Sequence, residues 1–278
     1  MSLLYLLGYP VAHSLSPAMQ NAALRAKGLS LEYRLMPVAP EELEKRIRDL
    51  RDLSVVGFNV TIPHKVAVMP LLDDLDESAS AVGAVNTVVN NGGRLTGYNT
   101  DCLASTRVLS EAYGNLTGSR VVIIGAGGAA RAVASGLAPC AEWIAVLARD
   151  MSKAKLLAKM VEGRGAEVRG VSIGEARKIV SAADILVNAT PVGMHPNLDA
   201  SPIEAVALHD ELLVFDLVYN PERTRLLREA EAAGARTVGG LPMLVYQGAE
   251  AFRLWTGKVA PAGLMMGVAR MVLGGAVV

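Results

Sequence analysis

The segment Asn59-Val60-Thr61-Ile62-Pro63-His64-Lys65 offers the first group able to do chemistry, a lysine delivered just past an apolar run. Val55, Val56 and Phe58 read as a short buried strand; Pro63 then ends ladder pairing and suits the first turn of a helix. The spacing therefore predicts Lys65 on that first turn. A cation held at such a position can supply a proton or stabilise a developing oxyanion. Taken singly, the same lysine is an ordinary exposed residue after a strand. Its company changes the reading: Ser14 and Ser16, Asn86, Asp101 and a glycine-rich turn at Gly125.

Ser14 and Ser16 lie where an apolar strand over 3–7 gives way, past Gly8 and Pro10, to a helical pattern over 17–27. Ser16 reads as the N-cap of that helix, with Pro17 at its first position, while Ser14 stands outside it. Two hydroxyls two residues apart at a helix N-terminus can together hold a carboxylate. Asn86 falls in a Val- and Thr-rich stretch over 82–89 that reads as a strand. A buried asparagine must be hydrogen-bonded, and a structural bond and a ligand contact are both open to it. Asp101 stands at the start of a helix over 102–113, where a plain N-cap competes with a catalytic carboxylate.

Gly125-Ala126-Gly127-Gly128-Ala129-Ala130 follows the apolar strand over 120–124 and opens an amphipathic helix over 129–137. In that context G-x-G-x-x-A is a dinucleotide-binding turn: Gly125 for the tight turn, Gly127 for approach to a pyrophosphate, Ala130 for helix–strand packing. The next strand, 143–147, ends at Ala148-Arg149-Asp150, the position that selects the ribose substituent. An acid there bonds the 2′-hydroxyl of NAD and an arginine holds the 2′-phosphate of NADP. Arg149 and Lys153 against Asp150 favour NADP, with Asp150 also able to cap the helix over 151–161.

These residues must be positioned by alternating strands and helices. Strand-like runs at 3–7, 31–38 and 55–58 alternate with helices at 17–27 and 40–53. A helix over 73–81 precedes a hairpin at Asn91-Gly92-Gly93, whose second arm is 94–98. Beyond residue 118 about six strands alternate with helices, as a doubly wound nucleotide domain requires. After Gly239-Gly240 the pattern is purely helical, and two terminal helices are expected to pack back on the first domain, with Gln247 near the join. The reading is an α/β chain of two domains: an N-terminal α/β substrate domain (1–101 plus 241–278) and a Rossmann-type doubly wound nucleotide-binding domain (102–240).

Composition narrows the class. The 278 residues carry 27 basic and 27 acidic side chains, which gives no electrostatic footprint for nucleic acid or membrane. Two cysteines and four histidines have no ligand spacing, so no metal is expected. The apolar N-terminus lacks a basic flank and is too short for a signal or a span. A cytoplasmic enzyme acting on a small molecule is expected, and a homodimer is compatible with it.

Taken together these motifs resemble the shikimate dehydrogenase family. The resemblance rests on His13-Ser14-Leu15-Ser16-Pro17, the segment 59–65, Gly83-Ala84-Val85-Asn86-Thr87, Gly97-Tyr98-Asn99-Thr100-Asp101, the turn at 125–130, Asn188-Ala189-Thr190-Pro191-Val192-Gly193, and Leu241-Pro242-Met243-Leu244 with Gln247. It implies NADPH-dependent reduction of 3-dehydroshikimate to shikimate in aromatic amino-acid biosynthesis, with Lys65 and Asp101 as the catalytic pair. Ser14 and Ser16 would bind the substrate carboxylate. Thr61, Asn86, Tyr219 and Gln247 would contact substrate hydroxyls or the carboxylate. Glu77, Leu217 and Gly240 match positions that line the cofactor site. Two stretches depart from the family pattern: Ala148-Arg149-Asp150 replaces its usual Asn-Arg-Thr, and Cys102-Leu103-Ala104-Ser105 replaces a glycine and an aromatic. An NAD-using quinate or shikimate dehydrogenase of the same fold is the alternative, favoured by Asp150.

Overall fold

A computed structural model describes residues 2–275, and the chain divides into two units. One holds the residues up to Asp101 and those from Val245 onward; the other is Cys102–Leu244.

The first unit opens with β1 (Ser2–Gly8), α1 (Ser16–Ala26), β2 (Leu31–Pro37), α2 (Leu43–Asp49) and β3 (Val55–Val60). β4 (Asp74–Leu75), α3 (Glu77–Val82), β5 (Thr87–Asn91) and β6 (Arg94–Tyr98) follow. The sheet order is β2-β1-β3-β5-β6-β4. β1 runs parallel to β2 and β3, whereas β5 is antiparallel to both β3 and β6. Leu7, Phe58, Val60, Val88 and Leu95 are buried in one apolar cluster with Leu43 and Ile47 of α2. This topology has a consequence for chemistry. The C-terminal ends of β1, β3 and β6 and the N-terminal end of β5 share one edge of the sheet.

α4 (Asp101–Tyr113) leads into the second unit: β7 (Arg120–Ile124), α5 (Gly128–Leu137), β8 (Trp143–Ala148), α6 (Met151–Val161), β9 (Glu167–Ser172), α7 (Ala176–Val180), β10 (Ile185–Asn188), β11 (Leu213–Asp216), α8 (Arg225–Ala232) and β12 (Arg236–Val238). All pairings in the order β12-β11-β10-β7-β8-β9 are parallel. The strand order reverses between β7 and β10, the doubly wound arrangement whose switch point takes a ligand beyond the carboxyl ends of the strands. Apart from Arg120, Asn188 and Asp216 at their ends, β7, β8, β10 and β11 are apolar and almost wholly buried, as strands covered on both faces must be.

α9 (Leu241–Thr256) and α10 (Ala262–Leu273) end the described chain. Within the first unit Trp255 of α9 donates its indole N–H to the carbonyl of Val88 (2.9 Å). Gly57 makes room for it: a Cβ there would strike the indole ring and the Val88 carbonyl. Gln20 of α1 donates to the carbonyl of Gly248 (2.8 Å), which fastens α9 to α1.

Several local expectations are corrected. No helix follows Pro63: residues 62–68 form turns, with a single 3-10 turn at Met69–Leu71, so Lys65 lies on a turn. The helix expected over 73–81 is shorter, because Asp74–Leu75 pairs with β6 and Asp76 caps α3 through the N–H of Ser78. The helix expected over 40–53 ends at Asp49 after a 3-10 turn at Pro40–Glu42. Among the described residues no helix is long and apolar enough to cross a membrane.

Candidate active site

The turn that carries Lys65 is fixed by backbone bonds from both sides. Thr61 N–H donates to the Leu7 carbonyl at the end of β1 (2.8 Å), and Val85 N–H donates to the Lys65 carbonyl (2.7 Å). A ring nitrogen of His64, buried at 1 % exposure, lies 2.7 Å from the Val38 carbonyl. Gly8 allows the close approach, since a Cβ there would collide with the Thr61 side chain. A proline-containing turn needs outside partners for its backbone groups, and neighbouring strands supply them.

Lys65 Nζ donates to Asp101 Oδ2 at 2.6 Å, with the two side chains 15 % and 6 % exposed. Asp101 is the first residue of α4, so its carboxylate sits on a helix N-terminus, which favours negative charge. A charge-assisted bond of this length between largely desolvated groups is strong. It orients the ammonium group while leaving its other two protons to donate elsewhere.

Asn86 lies just before β5, one residue outside the strand in which it was expected, and is 2 % exposed. Its Oδ1 accepts from the N–H of Thr100 (2.8 Å) and the hydroxyl of Thr87 (3.1 Å). Its Nδ2 donates to Thr100 Oγ1 (2.9 Å) and to Gln247 Oε1 (3.4 Å). Asn59 supports it from behind, donating to the Asn86 carbonyl (3.0 Å) and accepting from the buried hydroxyl of Tyr33 (2.8 Å). Asn86 is thus a structural hub that also reaches the α9 side chain expected to meet substrate. Thr100 had no expected role; its only signal was its place between Asn99 and Asp101.

The cap expected from Ser16 is not formed. α1 starts at Ser16, and the residue at its N-cap is Leu15, with no side-chain cap. Ser14 Oγ accepts from the N–H of Ser16 (3.2 Å), so the residue outside the helix does the capping. Ser14 and Ser16 follow β1, Thr61 and Lys65 follow β3, Asn86 precedes β5 and Asp101 follows β6, all at the shared edge of the first sheet. Glu77 is exposed at the start of α3 in the same unit. Tyr219 belongs to the other unit.

In the second unit Gly125 has φ +111°, a conformation that strains any residue with a side chain. A Cβ there would also press on the Ala189 carbonyl (3.0 Å) and Thr190 Cγ2 (3.0 Å). Gly127 caps α5, and a Cβ on it would meet nothing within 4 Å. The space before the first N–H groups of α5 is therefore open to a pyrophosphate. Ala130 is fully buried against the sheet, while Ala126, Gly128 and Ala129 are half-buried around the turn. The residues present fit a dinucleotide.

Past β8, Ala148 is half-buried and Arg149 exposed. Asp150 turns its Oδ1 onto the N–H groups of Ser152 (3.0 Å) and Lys153 (3.3 Å) at the start of α6. The acid is thereby engaged as a helix cap and also pairs loosely with Lys153 Nζ (3.8 Å to Oδ2), while Arg149 and Lys153 are both exposed cations. Leu217 and Gly240 touch: a Cβ on Gly240 would overlap the Leu217 carbonyl.

Comparisons with known proteins bear on the family of the whole chain. The family model described as the shikimate dehydrogenase substrate binding domain matches residues 6–88. That of shikimate / quinate 5-dehydrogenase matches 107–227, and that of the shikimate 5'-dehydrogenase C-terminal domain 240–270. The NADP(+) shikimate dehydrogenase of Methanopyrus kandleri is 50 % identical over 266 residues, 94 % of this chain and 92 % of that protein. A crystal structure of a shikimate dehydrogenase with NADP+ superposes with a TM-score of 0.92 at 41 % identity, covering 98 % of this chain and 96 % of the other. The Thermus thermophilus enzyme, crystallised with NADP(H) and shikimate, gives 0.86 at 40 % identity, covering 97 % and 99 %. With a desolvated lysine–carboxylate pair in one unit and an open dinucleotide turn in the other, and with these likenesses spanning nearly the whole chain, the protein belongs to the shikimate dehydrogenase family.

Proposed function

We propose that the chain catalyses the reversible NADP-dependent interconversion of shikimate and 3-dehydroshikimate. The observation that carries this reading is the Lys65–Asp101 pair, 2.6 Å apart, at a sheet edge shared with Ser14, Ser16 and Asn86. NADP, when bound, supplies the hydride chemistry. The protein's part is to hold the ring and to manage the proton. Ser14 and Ser16 hold the substrate carboxylate. Asn86, Gln247 and Thr61 of the first unit, with Tyr219 of the second, engage hydroxyls or the carboxylate. Lys65 Nζ donates to the ketone oxygen and stabilises the alkoxide that develops there. Asp101 keeps Nζ aimed and balances its charge. On the cofactor side, the 125–129 turn takes the pyrophosphate; Ala148, Arg149 and Lys153 take the 2′-phosphoadenosine end; Leu217, Gly240 and Glu77 complete the site.

The NAD-using quinate or shikimate dehydrogenase is less well supported, because Asp150 is engaged in capping α6 and the relatives carry NADP(+) in their names. The test is absorbance at 340 nm with shikimate or quinate and with NADP or NAD. Turnover with shikimate and NADP well above the other three combinations is expected. No change with any combination sinks the reading. Sedimentation of the purified protein decides whether a homodimer accompanies it.

A further inference from the structure

The second unit buries a carboxylate that the reaction does not consume. Asp216 ends β11 and is wholly inaccessible to solvent. Its Oδ1 accepts from Asn188 Nδ2 (2.9 Å) and from the N–H of Val218 (3.0 Å); its Oδ2 accepts from Thr224 Oγ1 (2.7 Å). All three donors are neutral. A buried charge without a cation is costly even when hydrogen-bonded. Burial pushes the Asp216 carboxyl up to about 6, against the opposing pull of Thr224, Val218 and Asn188. Packing alone gives no reason to keep such a group where an apolar residue would fit more cheaply.

The three donors show what the carboxylate organises. Asn188 ends β10, next to β7 at the switch point, and its Oδ1 accepts from the N–H (3.1 Å) and hydroxyl (2.6 Å) of Thr190. Thr190 and Ala189 are the residues against which Gly125 packs. Val218 directly follows Leu217, whose carbonyl lies against Gly240, and Gly240 N–H donates to the Val218 carbonyl (3.2 Å). Thr224 caps α8 through the N–H of Leu227, which closes the 217–223 loop. One carboxylate thus ties the loop behind the glycine-rich turn to the strand end carrying Leu217. We infer that Asp216 is a positioning residue for the dinucleotide, holding the 188–190 and 217–218 segments in register around the cofactor site.

This inference rests on the proposed NADP-dependent function, and the experiment separates the two. NADPH binding is measured by fluorescence titration on the wild type, Asp216→Ala and Asp216→Asn, far below each melting temperature, beside steady-state kinetics. Asp216→Ala is expected to weaken NADPH binding by about tenfold or more, the loss that goes with about one misplaced hydrogen bond to the cofactor. KM for NADP should rise in step and kcat fall less. Asp216→Asn keeps an acceptor for Asn188 and Val218 and should restore most of the affinity. If Asp216→Ala binds NADPH within about twofold of wild type and only melts lower, the residue is merely structural and the inference is overturned. Should Asp216→Ala not fold, Asn188→Ala takes its place. Weakened binding in that variant supports the inference; unchanged binding overturns it. A wild type that neither binds NADPH nor turns over shikimate overturns the functional proposal itself.

Discussion

Lys65 Nζ and Asp101 Oδ2 lie 2.6 Å apart although 36 residues separate them in the chain, and both side chains are largely withdrawn from water. This contact makes the lysine structural as well as chemical. Lys65→Ala should lower kcat by about 10²–10⁴-fold, the range for a positioned acid or base, with KM for shikimate moving far less. It should also lower stability by about 3 kcal/mol, because Asp101 is left buried without its partner. Asp101→Asn should lose rate as well, and the double variant should fall no further than the worse single one. Steady-state kinetics with thermal melts check all of this; a Lys65→Ala enzyme retaining most of its kcat ends the catalytic assignment.

Carboxylate binding and helix capping separate cleanly at the two serines. Ser14→Ala should raise KM for shikimate with a smaller change in kcat, since the carboxylate is held alike in ground and transition states. It should also cost up to about 1 kcal/mol, because Ser14 accepts the Ser16 N–H. Ser16→Ala should raise KM with little change in melting temperature, as its hydroxyl caps nothing. The reverse pattern of melting shifts would contradict this capping arrangement.

Cofactor choice should depend on Arg149. Arg149→Ala should weaken NADP much more than NAD, because a guanidinium grips a phosphate bidentately. Asp150→Ala should cost about 1 kcal/mol through loss of the α6 cap and leave the NADP-to-NAD ratio nearly unchanged. KM values for both cofactors on both variants decide; equal losses of NADP and NAD in Arg149→Ala would remove the assignment.

Asp216 gives stability a definite pH dependence. Its carboxyl is raised from 3.8 to about 6 in the folded protein, so the native state holds this proton more tightly than the unfolded chain. The contribution of this group to stability therefore falls as pH rises from about 4 to about 6, and the penalty is fully present above that. Asp216→Asn does not titrate. Its melting temperature relative to wild type should be similar near pH 4 and should rise in the variant's favour toward pH 7. A difference that stays constant over this range would show that the carboxylate is not perturbed by burial.

The sequence by itself determined what contiguous residues encode. β7, the turn at Gly125 and Gly127, and α5 are a local strand–turn–helix unit, legible because periodicity, glycine conformation and helix packing act within about ten residues. The Asp150 cap is local in the same way. The alternation of strands and helices led to the α/β class and, beyond residue 118, to the doubly wound sheet. Tertiary structure alone decided the rest. Pro63 fits a helix start or a turn equally well, and the turn prevails because Leu7, Val38 and Val85 satisfy its backbone and side-chain groups from other strands. Ser14 rather than Ser16 caps α1 because the entering chain sets which hydroxyl faces the first free N–H. Lys65 meets Asp101, Asn86 meets Gln247, and Asp216 gathers Asn188, Val218 and Thr224 only once strand order has brought distant segments together. Hydrogen bonds across such separations are fixed by register and burial, and neither is written in the residues on one side of the bond.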